Sequence, residues 1–146
     1  MLMRTLCSLF VTAWLLSFTA LPAAELSDVD VLIGDLKSGD AEQRAHAAES
    51  LGRFGPLAAP AVPALVAALT DKNVEVQHEA LLALEHIGPA ARAAVPDLVA
   101  ILKGPQTRLH MGAVDALGAI GHEARQAVPL LLGFLKGDDP AAVTSA

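Results

Sequence analysis

Three copies of one pattern lie 33 residues apart in this chain of 146 residues, and this fixed period limits the possible folds more than any single residue does. The first copy consists of Ala47, Leu51, Gly55, Ala58, Ala61, Val62, Pro63, Leu65 and Leu69. The same residue types recur in register in the second copy, from Ala80 to Leu102, and in the third, from Ala113 to Leu135. A repeat of this length indicates a solenoid, in which each unit buries its apolar face against its neighbours.

Each copy contains two helical patterns, one on either side of its glycine. In the middle copy the apolar stripes are Val76, Ala80, Leu84 and Ile87, then Val95, Leu98, Val99 and Leu102. Spacings of three and four residues place each set on one face of a helix. We name the two helices of a copy helix A and helix B. The pattern predicts an all-α fold, an α-solenoid of stacked antiparallel helix pairs.

The helix boundaries are also periodic. Gly55, Gly88 and Gly121 follow the helix A patterns and predict an end in a left-handed conformation. Pro63, Pro96 and Pro129 are predicted in the first turn of helix B, where a missing N–H costs little. Asp40, Asn73 and Asp139 share one register and are good N-caps for helix A. Gln106 is a poor cap, so Thr107 is expected to cap one residue later.

These boundaries divide the chain after residue 24. A domain over 25–139 is predicted to contain a capping helix over 27–38, which has the register of a helix B. Three repeats follow, at 40–72, 73–105 and 106–138. Residues 139–146 are either a short tail or the start of an incomplete repeat. Acidic residues in the capping helix are expected on an outer face that meets water.

Residues 1–24 have the composition of a signal peptide. Arg4 is their only charge, an apolar run extends from Leu6 to Leu21, and small residues follow at Ala23 and Ala24. The run is short for a membrane span, so cleavage is favoured over an uncleaved anchor. The mature protein is therefore expected to be exported, either periplasmic or extracellular, and not held in a membrane. Cys7, the only cysteine, leaves with the leader.

The repeat resembles the HEAT-like repeat, particularly the short bacterial type found in phycobilin lyases. The stretch QHEALLALEHIGPAARAAVPDLVAILKG has the Ala, Leu, Gly-Pro and Val-Pro positions of that family in order. The resemblance implies a curved scaffold that holds another macromolecule, with its B helices on the concave side. An Arg common early in helix A of the family is kept as Arg44 but replaced by Gln77 and His110, which predicts a broken ladder along the stack.

We expect the scaffold to bind a protein through its B helices. The residues outside the core register are Val31, Asp35, Ala64, Ala68, Asp97, Ile101, Leu130 and Phe134. They change from acidic to apolar along the stack, so most of the contact area is expected at the C-terminal end. The last helix B is apolar on nearly all sides. Either the short tail covers it, or a second protomer, a partner or further repeats do, which makes self-association possible.

The competing class is a metal-dependent enzyme organised around His78 and Glu79. This dipeptide resembles the His-Glu pairs of HEAT-type metal hydroxylases, but the equivalent positions hold Ala45-His46 and Met111-Gly112. One such pair supplies only part of a metal's coordination, and His110 is a weak third candidate. The favoured interpretation is that all five histidines are ordinary exposed polar residues. No cofactor and no catalytic residue are predicted, and a bilin-lyase activity has no residue to support it.

Charge excludes one further class of partner. The formal net charge is −6, and the Lys and Arg residues are spread singly through the repeats. Helical solenoids that bind nucleic acid need a positive surface to neutralise phosphates. Nucleic acid is therefore not an expected partner.

Overall fold

The computed structural model describes residues 22–129 and 132–133, and these ranges contain helices and no strand. The α-helices are α1 (Pro22–Asp35), α2 (Ala41–Arg53), α3 (Val62–Ala68), α4 (Val74–Ile87), α5 (Val95–Lys103) and α6 (His110–Ile120). Within the same ranges, 3₁₀ segments lie at Gly55–Ala61, Gly88–Ala94, Thr107–Leu109 and Gly121–Ala127. The predicted all-α solenoid is confirmed.

The A helices α2, α4 and α6 form one layer of the stack. Helix α4 contacts both α2 and α6, and therefore lies at the centre of that layer. The B helices are arranged differently, because α3 contacts the Gly88–Ala94 segment of the following repeat and α5 contacts Gly121–Ala127. The 3₁₀ segments also contact one another in order along the stack. Each repeat is thus joined to the next through both layers.

The first helix has the place of a helix B but begins earlier than the sequence pattern indicates. Helix α1 contacts α2 and the Gly55–Ala61 segment, as the capping element should. Val29 and Leu36 are buried. The helix begins at Pro22, inside the stretch predicted as a signal peptide, and ends at Asp35. Residues 1–21 and 134–146 lie outside the described residues, as do Leu130 and Leu131, so most of the leader and the tail are not described.

Two of the predicted N-caps are confirmed. The Asp40 carboxylate accepts a hydrogen bond from the Glu42 N–H, and the Asn73 side chain accepts from the Glu75 and Val76 N–H groups. The expectation for Thr107 is wrong. Pro105 keeps Gly104 extended, with ψ at 165°. Thr107 is the first residue of the 3₁₀ segment Thr107–Leu109, in which the Leu109 N–H donates to the Gln106 carbonyl at 3.0 Å, so it does not cap α6.

Helix A and helix B of each repeat are linked by a 3₁₀ segment, which begins at the glycine that recurs every 33 residues. Gly55, Gly88 and Gly121 have positive φ angles of 54°, 62° and 74°. The prediction of positive φ is confirmed, but ψ at Gly88 is −134°, outside the left-handed helical region. Pro63 and Pro96 lie in the first turn of α3 and α5, as predicted. Each A-to-B connection is therefore a regular element with a fixed entry and exit.

The repeated residues form one continuous core. Leu51, Leu84 and Leu117, at one register in successive A helices, are at most 1% exposed. Four residues before each leucine lies an alanine that is equally buried, namely Ala47, Ala80 and Ala113. Their small side chains let the helices approach closely. The last copy differs at Val128, which is 46% exposed although its equivalents Val62 and Val95 are buried. Within the described ranges, no helix has the length and apolar character needed to cross a bilayer.

Candidate binding surface

A groove of about 550 Å³ lies on the helix B side, between α3 and α5. Its apolar part consists of Val66 in α3, Leu69 at the C-cap of α3 and Ile101 in α5. The loops that precede α4 and α6 close one end and add the charged side chains Lys72 and Arg108. An open cleft with apolar walls and a few charged groups suits a segment of another chain. We call it the B groove.

The structure places the predicted surface residues unequally. Asp97 is exposed and Ile101 is half-buried, and both line the B groove. Val31 is 61% exposed on α1, whereas Asp35 is half-buried and accepts a hydrogen bond from the Gln43 side chain at 3.0 Å. Leu130 and Phe134 lie outside the described residues, so their role at the C-terminal end stays a prediction.

The expectation for the two alanines of α3 needs one correction. Ala64 is half-buried, but Ala68 is only 7% exposed and belongs to the core. Ala68 follows the fully buried Leu65 by three residues, and this spacing keeps it on the same side of the helix. Ala68 therefore cannot contribute to a binding surface.

Arg44 of α2 is paired with Asp71, which lies in the loop before α4 and lines the groove. Its Nε and Nη2 atoms donate to the two carboxylate oxygens of Asp71, at 2.7 and 2.9 Å. Its Nη1 atom donates to the Ser38 carbonyl at 2.9 Å. This hydrogen bond from Arg44 lowers the pKa of the Asp71 carboxyl below its usual range, against the opposing effect of burial. Asp71 is thus an ionised carboxylate that is already paired.

The next repeat continues this polar contact with different residues. Gln77 is 4% exposed, and its Nε2 atom donates to the Asp71 carbonyl at 2.7 Å. Its Oε1 atom accepts a hydrogen bond from Arg108 Nη2 at 3.2 Å. In the third repeat His110 Nε2 lies 3.0 Å from the Gly104 carbonyl oxygen. The same contact therefore recurs at this register: the side chains of Arg44, Gln77 and His110 each lie within hydrogen-bond distance of the backbone carbonyl six residues earlier in the chain.

These contacts extend one sequence prediction and correct another. The ladder of Arg residues ends at Arg44, but a hydrogen-bonded line of other residues continues from Asp71 through Gln77 to Arg108. His110 is not an exposed surface residue, since it is 9% exposed and turned towards Gly104. The sequence held one indication of this repeated contact, because the side chains of Arg44, Gln77 and His110 can all donate an N–H hydrogen bond.

The family comparison agrees with this architecture. The model for HEAT repeats matches residues 29–108 and again 62–146. The chain belongs to the HEAT repeat family. HEAT repeats generally act as non-catalytic scaffolds and commonly mediate protein–protein interaction. No curated protein matches the chain.

The HEAT repeat stack does not gather the candidate metal ligands. His78 is exposed on α4 and Glu79 is half-buried beside it, whereas His110 is directed to Gly104. Between residues 22 and 129, no group of three or more His, Cys, Asp or Glu side chains lies close enough to hold a metal ion. The metal-enzyme hypothesis gains no geometric support from these residues.

Glu79 instead lines a second groove, of about 580 Å³, between the A helices α2 and α4. Gly52 and Ala83 form its floor, where the two helices approach closely. Burial raises the pKa of the Glu79 carboxyl, the Glu49 and Glu75 carboxylates raise it further, and His78 opposes them. Ionised Glu79 is thus held in an environment that disfavours its charge.

We expect Glu79→Gln to stabilise the protein near neutral pH. A carboxyl whose pKa is higher in the folded than in the unfolded state contributes stability below the unfolded pKa, and loses it as pH rises through the folded pKa. The melting temperature of Glu79→Gln should therefore match wild type at about pH 4 and exceed it at about pH 7. A lower melting temperature at neutral pH would show that His78 outweighs burial.

Proposed function

We propose that this HEAT repeat chain is an exported, non-catalytic scaffold that binds one protein partner in the B groove. The observation that carries the proposal is the groove itself, which offers apolar side chains of two successive repeats beside charged loops. Family membership supports the scaffold function, because HEAT repeats present such surfaces to other proteins. Export is supported by the composition of residues 1–24.

Site-directed photo-crosslinking in cells that make the full chain tests the proposal. A photoreactive residue at position 101 would lie in the B groove, and the same residue at Met111, which is 69% exposed on helix A, serves as the control. We expect position 101 to yield one defined product in the exported fraction, attached to a chain that has lost its leader. The captured protein must then form a complex with the purified chain. Identical products from both positions, or none from position 101, would contradict the proposal.

A further inference from the structure

The charges around the B groove differ in sign from those of the whole protein. The chain carries a formal net charge of −6, but the groove contains the cations Lys72 and Arg108. Of its two carboxylates, Asp71 is already paired with Arg44, which leaves Asp97 as the single opposing charge. In residues 22–129, neither Lys72 nor Arg108 forms a salt bridge. The groove is a locally cationic site on an acidic protein.

Arg108 is exposed, and one of its N–H groups is hydrogen-bonded within the protein. The buried Gln77 amide is fixed by its own hydrogen bond to the Asp71 carbonyl, and accepts one N–H of the Arg108 guanidinium. The guanidinium has five N–H donors, so several remain for a ligand. A positioned guanidinium binds a carboxylate with two parallel hydrogen bonds and loses little conformational entropy on doing so.

From these features we infer that the B groove recognises a peptide segment in which a carboxylate lies next to an apolar side chain. The inference rests on the proposed function and names the chemistry of the partner. Arg108 and Lys72 bind the carboxylate, and Val66 and Ile101 contact the apolar side chain. Asp97, which also lines the groove, repels a second acidic residue and limits how many negative charges the segment carries.

Fluorescence anisotropy with short synthetic peptides tests this inference on the purified protein. The probes are matched peptides with Leu beside Asp or Glu, beside Asn or Gln, and beside Lys, each with an amidated C-terminus. We expect the acidic peptides to bind roughly ten-fold more tightly than the amide peptides, as for a charge-assisted hydrogen bond. A second set with a free C-terminus and no acidic side chain tells a terminal carboxylate from a side-chain one.

Substitutions assign the preference to the groove. Arg108→Gln should remove most of the preference for acidic over amide peptides, and Lys72→Gln should remove part of it. Asp97→Asn should strengthen binding of the acidic peptides. Arg92→Gln is the matched control, because Arg92 is exposed and does not line the groove. Added salt should weaken binding of the acidic peptides more than that of the amide peptides.

Four results would overturn the inference. They are equal affinity for acidic and amide peptides, no binding of any peptide, equal effects of Arg108→Gln and Arg92→Gln, and tighter binding of an oligothymidylate than of the acidic peptides. If crosslinking from position 101 still identifies a partner that binds the purified chain, the proposed function stands and only this peptide preference fails. If crosslinking also fails, both are wrong.

Discussion

Replacing Leu84 with Ala is expected to lower the free energy of unfolding by about 2–5 kcal/mol. Leu84 is fully buried in α4, and α4 contacts the A helices on both sides. The truncated side chain leaves a cavity that rigid neighbouring helices cannot fill. Because a repeat in the middle of a solenoid contributes to two interfaces, the substitution should also destabilise the repeats on either side.

Urea unfolding followed by circular dichroism measures this effect. For a protein of this size we expect the midpoint of Leu84→Ala to fall by about 1–3 M. Leu57→Ala is the matched control, because it removes the same atoms from a side chain that is 58% exposed. The control should stay within about 0.5 kcal/mol of wild type. Equal midpoints for the two variants would show that Leu84 does not belong to the core.

The helical layers were predictable because the core repeats with the chain. The Ala and Leu residues that recur in register, such as Leu51, Leu84 and Leu117, are buried, and helical spacing on both sides of the glycine identifies the faces that pack. The 3₁₀ segments were not predictable. In Gly88–Ala94 the residues are mostly alanines around one proline, and that composition does not tell a 3₁₀ helix from a loop.

The candidate binding surface was only half predictable. Asp97 and Ile101 follow from helix B periodicity, because their register differs from that of the core. Lys72 and Arg108 do not, since they belong to the loops before α4 and α6 and meet only when the repeats stack. Their charge matters because Arg44 is paired with Asp71, a contact over 27 residues of chain that depends on how the first repeat folds. The net negative charge of the whole chain gives no sign of the two cations that line this groove.

Gly88→Ala is expected to lower the free energy of unfolding by about 1–3 kcal/mol. The loss of stability comes from backbone strain and not from a steric clash, because a Cβ at this position would meet nothing closer than the Ala119 carbonyl oxygen, at 3.7 Å. The φ of 62° and ψ of −134° are those of the first central residue of a type II′ turn. Glycine adopts this conformation freely, and an L side chain does not.

Thermal unfolding of two further variants separates this conformation from simpler explanations. Gly118→Ala in α6 should raise stability by about 0.5–1 kcal/mol, because that glycine lies in a helix with open space around it. Gly88→Asn should cost as much as Gly88→Ala, since asparagine tolerates the left-handed helical region but not a ψ near −134°. If asparagine were clearly milder than alanine, residue 88 would relax into a left-handed C-cap, and the 3₁₀ segment would not depend on the turn that begins it.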